Sequence, residues 1–256
     1  MVDVTYPIVV AATRTWLKLG AVDLRMTGTE RIPKKGGALL AINHLGFVDY
    51  LLAGYPGEEV GRHTRFMAKK EVFDHRIGGP VMRSLGNISI DRSDGEQGIQ
   101  TAVQALRDGE LVGIYPEGTI SRSFLLQPLK TGAVRIAAEA EVPLIPIVLW
   151  GTQRFVTKGK PRDFKRHKTV GISVGEPMFP TGEDPLAETA HLQATMEQML
   201  DELIRKHPAA EQPPGSWWLP AKYGGSAPTL EEAARMYAEE RRLRAERRAA
   251  KAAKKK

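Results

Sequence analysis

Apolar and polar positions follow two alternating rhythms along this chain. Short apolar runs at Ala38–Asn43, Leu111–Tyr115, Leu144–Trp150 and Val170–Val174 predict strands. Between them, Gly98–Arg107 and Gly132–Ala140 set apolar residues three and four apart and predict helices, with Gly or Pro at the junctions. This alternation over residues 22–180 predicts an α/β domain, a mixed and mostly parallel sheet flanked by helices. Leu186–Lys206 adds another helical pattern, extending the domain over residues 22–206.

The two ends differ from this body. Tyr6, Val9, Val10, Thr13, Trp16 and Leu17 recur at helical spacing, with Arg14 and Lys18 on one narrow polar stripe. Two readings fit residues 1–21: a helix packed against the domain, or an amphipathic helix lying on a membrane surface with Trp16 and Lys18 as anchors. His207–Pro228 is rich in Pro and Gly and reads as an extended connector that includes Trp217–Trp218, a pair that, with the amphipathic start and the basic tail, offers a membrane contact. Thr229 then begins a charged helix, with Thr229 as N-cap and Glu232 as its capping-box partner. Residues 207–256 are thus expected to be a connector and a basic C-terminal helix.

Charge changes the picture at that end. The chain carries a formal +7, yet Arg241 to Lys256 holds nine basic residues against Glu246 alone, a net of +8. Residues 1–240 are left with −1, so the positive charge belongs to the tail. There are no cysteines, which excludes thiol nucleophiles, disulfides and thiolate metal sites and fits a reducing compartment. Only ten uncharged residues separate Asp3 from Arg14, against the roughly 20 apolar ones a spanning helix needs. The start lacks the basic region and small-residue cleavage site of a secretory signal.

Four segments carry candidate chemistry. In Asn43-His44-Leu45-Gly46-Phe47-Val48-Asp49, one continuous helix would set His44 and Asp49 about 140° apart. A strand ending at Asn43, a loop through Gly46 and a helix starting near Phe47 would let them meet. The aspartate would then fix the imidazole tautomer and leave the other ring nitrogen as a base. Gly86-Asn87-Ile88-Ser89-Ile90-Asp91-Arg92 would deliver Arg92 to a strand's carboxyl end, where it could clamp a phosphate or pair with a neighbouring aspartate. In Tyr115-Pro116-Glu117-Gly118-Thr119, Glu117 could fix substrate hydroxyls or hold a base, and Gly118 would let backbone N–H groups approach a ligand as an oxyanion hole. Val142-Pro143-Leu144-Ile145-Pro146-Ile147-Val148 brackets a strand with two prolines, which suits an edge strand or the wall of an apolar groove.

As an ordered set, these segments resemble the four motif blocks of the glycerolipid acyltransferase family, in its PlsC-type 1-acylglycerol-3-phosphate acyltransferases of an actinobacterial-like branch. His44 and Asp49 match the H-x4-D block, Gly86 and Arg92 the second, Pro116-Glu117-Gly118-Thr119 the third, and Val142-Pro143 with Ile145-Pro146 the fourth. Met67-Ala68-Lys69-Lys70-Glu71 and Leu129-Lys130-Thr131-Gly132-Ala133 look like the family's flanking lysine segments. The resemblance spans roughly residues 24–180 and departs in two places. Ile120 stands where an arginine usually follows the threonine, with Arg122 two residues on, and Leu45-Gly46 replaces a more polar pair.

The resemblance implies transfer of a fatty acyl group from acyl-CoA or acyl carrier protein to the free hydroxyl of 1-acylglycerol 3-phosphate. His44 would be the base and Asp49 its partner. Arg92, Lys69 and Arg122 would hold the acceptor phosphate, with Glu117, Gly118 and Thr119 around the acceptor. No cofactor and no metal are expected beyond the thioester co-substrate. The implied partners are lysophosphatidic acid, the acyl thioester and an anionic membrane surface bound monotopically on its cytoplasmic face. No nucleic acid is expected, since the basic tail lacks aromatic interleaving and any fold signature. Acylation of glycerol 3-phosphate or another lysophospholipid would use the same chemistry. A serine hydrolase is the rival, through the G-x-S-x-G pattern at Gly171–Gly175, but Pro177 and Pro180 follow where a nucleophile elbow requires a helix.

Overall fold

The computed structural model describes residues 5–76, 78–91 and 95–253. Helix α1 (Thr5–Leu19) leads into β1 (Asp23–Thr27) and β2 (Ala38–Ile42). Short helices α2 (Asp49–Leu52) and α3 (Tyr55–Glu59) precede β3 (Thr64–Lys69), and α4 (Lys70–Phe73) and α5 (Gly78–Ser84) precede β4 (Ile88–Ile90). There follow α6 (Gly95–Arg107), β5 (Leu111–Ile114), α7 (Gly132–Ala140), β6 (Leu144–Trp150), β7 (Thr169–Val174), α8 (Pro185–Lys206) and α9 (Leu230–Ala253).

The strands form one seven-stranded sheet in the order β1-β7-β6-β2-β5-β3-β4. Neighbours from β6 to β4 run parallel, and β6 meets β7 antiparallel, so the sheet is the mixed, mostly parallel one the alternation predicts. Central β2 and β6 are buried at every position, which is why they read as unbroken apolar runs. On one face Leu39, Ala41, Val148 and Trp150 pack with Val103, Ile136 and Leu192 of α6, α7 and α8. On the other, Leu40, Ile42, Ile145 and Ile147 pack with Leu17 of α1, Leu52 of α2 and Tyr55 of α3. The carboxyl ends of β6, β2, β5, β3 and β4 therefore share one edge, where ligand sites of such sheets form.

Three expectations about the periphery change. Pro146 sits in central β6, not an edge strand, and its buried surroundings leave no groove wall there. Its missing donor falls on the β7 side, where the ladder is interrupted. Leu144 and Met178 exchange both backbone bonds, Gly175 N donates to Pro146 O, and Glu176-Pro177 bulges away between them. Trp217–Trp218 is not a membrane contact. Trp218 is buried against Trp150 with the Arg154 guanidinium 4.6 Å from its ring, and Trp217 meets Phe124 edge-on. The connector is likewise packed down rather than extended, since Glu211 binds Arg154 (2.6 Å) and the Thr169 N–H (3.0 Å).

Helix α1 turns its Thr13 and Leu17 stripe onto the domain, leaving Ile8 and Leu19 exposed. The capping box forms as expected: Glu232 N donates to Thr229 Oγ1 (3.1 Å) and Thr229 N to Glu232 Oε2 (2.8 Å). Among the described residues no helix is long and apolar enough to cross a membrane.

Candidate active site

The site begins where β2 ends. Asn43 continues the strand with its side chain: its amide donates to Leu149 O (3.0 Å) and accepts from Leu149 N (2.7 Å). That pairing fixes the last rung before the chain turns, so His44 leaves the sheet edge at a defined angle. The turn brings Asp49, at the start of α2, back to the ring, and His44 Nδ1 donates to Asp49 Oδ2 at 2.9 Å. The same oxygen accepts the backbone N–H groups of Leu45 (2.6 Å) and Gly46 (2.8 Å). The departure at Leu45-Gly46 thus leaves the aspartate well held, because main-chain donors need no polar side chain. Gly46 is required for space: a Cβ there would stand 2.7 Å from Val156 O.

Asp49 is fully buried, its Oδ1 without a hydrogen bond, whereas the His44 side chain is 20% exposed. With Nδ1 engaged, Nε2 is the nitrogen left to exchange a proton. The His44 ring stacks on Tyr115, centroids 4.2 Å apart. Burial pushes the Tyr115 hydroxyl well above its ordinary pKa, with Asp49 adding to the shift, so this ring is a neutral platform.

Of the two parts open to Glu117, the contacts are those of a group that holds the base's loop. It is 5% exposed, and Oε1 accepts the His44 N–H (2.7 Å) while Oε2 accepts the Gln127 N–H (2.9 Å). The carboxyl thus clasps the β5 turn to the His44 loop instead of reaching for a substrate. Burial raises its pKa to about 8, against the lowering effect of the two N–H donors. Gly118, at φ +67°, donates its N–H to Tyr115 O (2.9 Å), so the expected oxyanion donor is engaged in the turn.

The third block continues toward α9. Ile120 is buried, so its side chain does not stand in for the family's arginine, and its carbonyl accepts the Tyr237 hydroxyl (2.9 Å). Arg122 turns to Glu240 on α9 (3.2 Å), not to the open edge. Thr119 Oγ1 accepts from Lys158 Nζ (2.9 Å). Lys69 closes β3 on the same sheet edge, and Lys70 pairs with Asp91 after β4 (3.0 Å). Arg92 lies outside the described residues.

Several contributors escaped the sequence reading. Asn87 joins Phe66 N on β3 (2.7 Å) to the Tyr50 hydroxyl (2.5 Å), bracing the residue after Asp49. Tyr50 lines an apolar cleft with Tyr6, Val9, Phe66 and Leu85. Phe47 is 57% exposed on the His44 loop. Lys158 comes in from the loop after β6, and its only signal was the basic Lys158-Gly159-Lys160 turn. The rival Ser173 lies within β7, hydrogen-bonded to Thr27, with no helix before Pro185, so no elbow forms.

Comparison with known proteins follows this geometry. The family model described as Acyltransferase matches residues 23–150. The 1-acyl-sn-glycerol-3-phosphate acyltransferase of Bacillus subtilis is 31% identical over 184 residues, covering 72% of this chain and 87% of that one. The protein of the same name from Borreliella burgdorferi is 26% identical over 58% of this chain and 59% of that one. The crystal structure of the 1-acyl-sn-glycerophosphate (LPA) acyltransferase PlsC from Thermotoga maritima shares the fold, with a TM-score of 0.65 and 23% identity over 78% of this chain and 79% of that one.

Proposed function

The chain belongs to the acyltransferase family, and from that premise we propose that it acylates the free hydroxyl of 1-acyl-sn-glycerol 3-phosphate with His44 as general base. The observation that carries this reading is the His44–Asp49 bond at the sheet's carboxyl edge, with Nε2 left to the substrate side. The acceptor oxygen attacks the thioester carbonyl while Nε2 takes its proton. Collapse of the tetrahedral intermediate breaks the C–S bond and forms the ester, and the proton passes to the leaving sulfur. Asp49 holds the ring and stabilises its cationic form, and Glu117 positions the base through the His44 N–H.

Lys69, the last residue of β3, and Arg92, by its match to the second motif block in sequence, are assigned to the acceptor phosphate. Exposed Phe47 suits a lipid surface. A lysophospholipid acceptor partitions into bilayers, so we assign the protein to the cytoplasmic face of the membrane as a peripheral, monotopic enzyme. The donor is acyl-CoA or acyl carrier protein, and no cofactor or metal takes part in the steps assigned.

The test is transfer of labelled palmitoyl from palmitoyl-CoA with lysophosphatidic acid, glycerol 3-phosphate or no acceptor. Labelled phosphatidic acid that disappears in His44→Ala supports the reading. Free fatty acid regardless of acceptor overturns it.

A further inference from the structure

The Asp49 carboxylate is loaded on one side only. Its Oδ2 accepts three donors, the His44 Nδ1–H and the backbone N–H groups of Leu45 and Gly46. Its Oδ1, on a fully buried side chain, accepts none. A bare carboxylate oxygen in the interior is costly, because the charge it shares has lost water and gained nothing there. Every bond that holds this carboxylate pulls on the oxygen facing the base, and none fixes the other.

A group with the complementary need lies against the same imidazole. Tyr115 stacks on His44 with centroids 4.2 Å apart and planes at 22°, and its hydroxyl is withdrawn from water with no acceptor. Phe66 lies nearly parallel to the Tyr115 ring (6.1 Å, 15°), which fixes the plane of the ring and so the place of its hydroxyl. A phenylalanine would make the same stack and bury no polar atom, so the platform alone does not account for the hydroxyl. The Asp49 charge reaches that hydroxyl, adding to the burial that keeps it protonated. Tyr115 is therefore a lasting donor beside a bare acceptor.

The geometry points to Tyr115 as a positioning residue for the base: its hydroxyl donates to Asp49 Oδ1 through one shared buried water, anchoring the carboxylate by its other oxygen. A single water satisfies the bare donor and the bare acceptor together. The second anchor fixes the rotation of the carboxylate, so Oδ2 stays on Nδ1 while the imidazole gains its proton. It also draws part of the negative charge away from the ring, so the imidazolium gives its proton more readily to the leaving sulfur. The role of His44 here rests on the acyl-transfer reading, while the link between Tyr115 and Asp49 can be read without turnover.

The experiment uses the full chain as wild type, Tyr115→Phe, Asp49→Asn and the Tyr115→Phe/Asp49→Asn double variant. Palmitoyl transfer gives kcat and KM, and NMR follows the titration of the His44 ring protons, assigned by their loss in His44→Ala. Tyr115→Phe should lower kcat about fivefold and leave the KM for lysophosphatidic acid and for palmitoyl-CoA unchanged. Its His44 titration midpoint should rise by about half a pH unit, because Asp49 without its second donor holds the imidazolium harder. In the Asp49→Asn background, which has no carboxylate to anchor, the same substitution should leave the midpoint in place. Glu117, which bonds the His44 N–H and changes charge near pH 8, is common to all four proteins and cancels from these differences. A Tyr115→Phe protein with wild-type kcat and midpoint overturns the assignment. An equal shift of the midpoint in both backgrounds also overturns it, since the effect would then belong to the stacked ring and not to the aspartate. A wild type that shows the titration pattern but transfers no acyl group would overturn the activity and leave the Tyr115–Asp49 link standing.

Discussion

Glu117 and Glu240 are two carboxylates that flank the same short segment, Gly118 to Arg122, and they are held in opposite ways. Glu117 is buried and bonded to backbone N–H groups of two separate loops, and burial raises its pKa to about 8. Glu240 is 24% exposed and bonded to side-chain cations. Its own partial burial works upward, but Arg122 and Lys158 outweigh it and hold its pKa below the ordinary glutamate value. Main-chain donors cannot move away without breaking the fold, so Glu117 is a fixture. Flexible cations accept any anion of suitable shape, so Glu240 is exchangeable.

The largest effect should come from the group the fixture positions. His44→Ala is expected to lower kcat about 10²–10⁴-fold with the melting temperature nearly unchanged, read by palmitoyl transfer and thermal melts. Next, Glu117→Ala strands two N–H groups, on His44 and Gln127, and should destabilise by about 2–4 kcal/mol in a urea titration. A loss under about 0.5 kcal/mol would erase the distinction between the two carboxylates.

The pH dependence sharpens the comparison further. The folded-state pKa of Glu117 is raised, from 4.5 to about 8, so its contribution is full below 4.5 and is lost as pH rises through about 8. The wild-type melting temperature should therefore fall across that window more than that of Glu117→Gln, which has no proton to lose. The smallest effect belongs to the exchangeable group: Glu240→Gln should change stability by about 1 kcal/mol or less, by the same urea titration.

The rhythm of apolar positions was enough to place β6 and α7 end to end as observed, because a buried central strand and an amphipathic helix each leave a periodic trace. The meeting of His44 with Asp49 was legible for a related reason: a strand, a glycine and a helix start lie within seven residues. For Glu117 the sequence left two parts open, because both its partners are backbone groups, which have no residue signature. Lys158 was missed because it bonds to a residue 39 positions away and no local pattern marks the pairing. Trp217–Trp218 was misread because an aromatic pair suits a packed core as well as an interface, and only the tertiary neighbours Trp150 and Phe124 decide between them.

The capping box at Thr229 and Glu232 bears on what holds α9 together apart from its docking. The start of α9 satisfies its own N–H groups, and ion pairs such as Arg242 with Glu239 and Glu246 run along its exposed surface. Its 24 residues exceed the roughly 12–15 below which an isolated helix is marginal in water. Undocking then breaks the contacts of Ala233, Tyr237 and Glu240 without unwinding the helix.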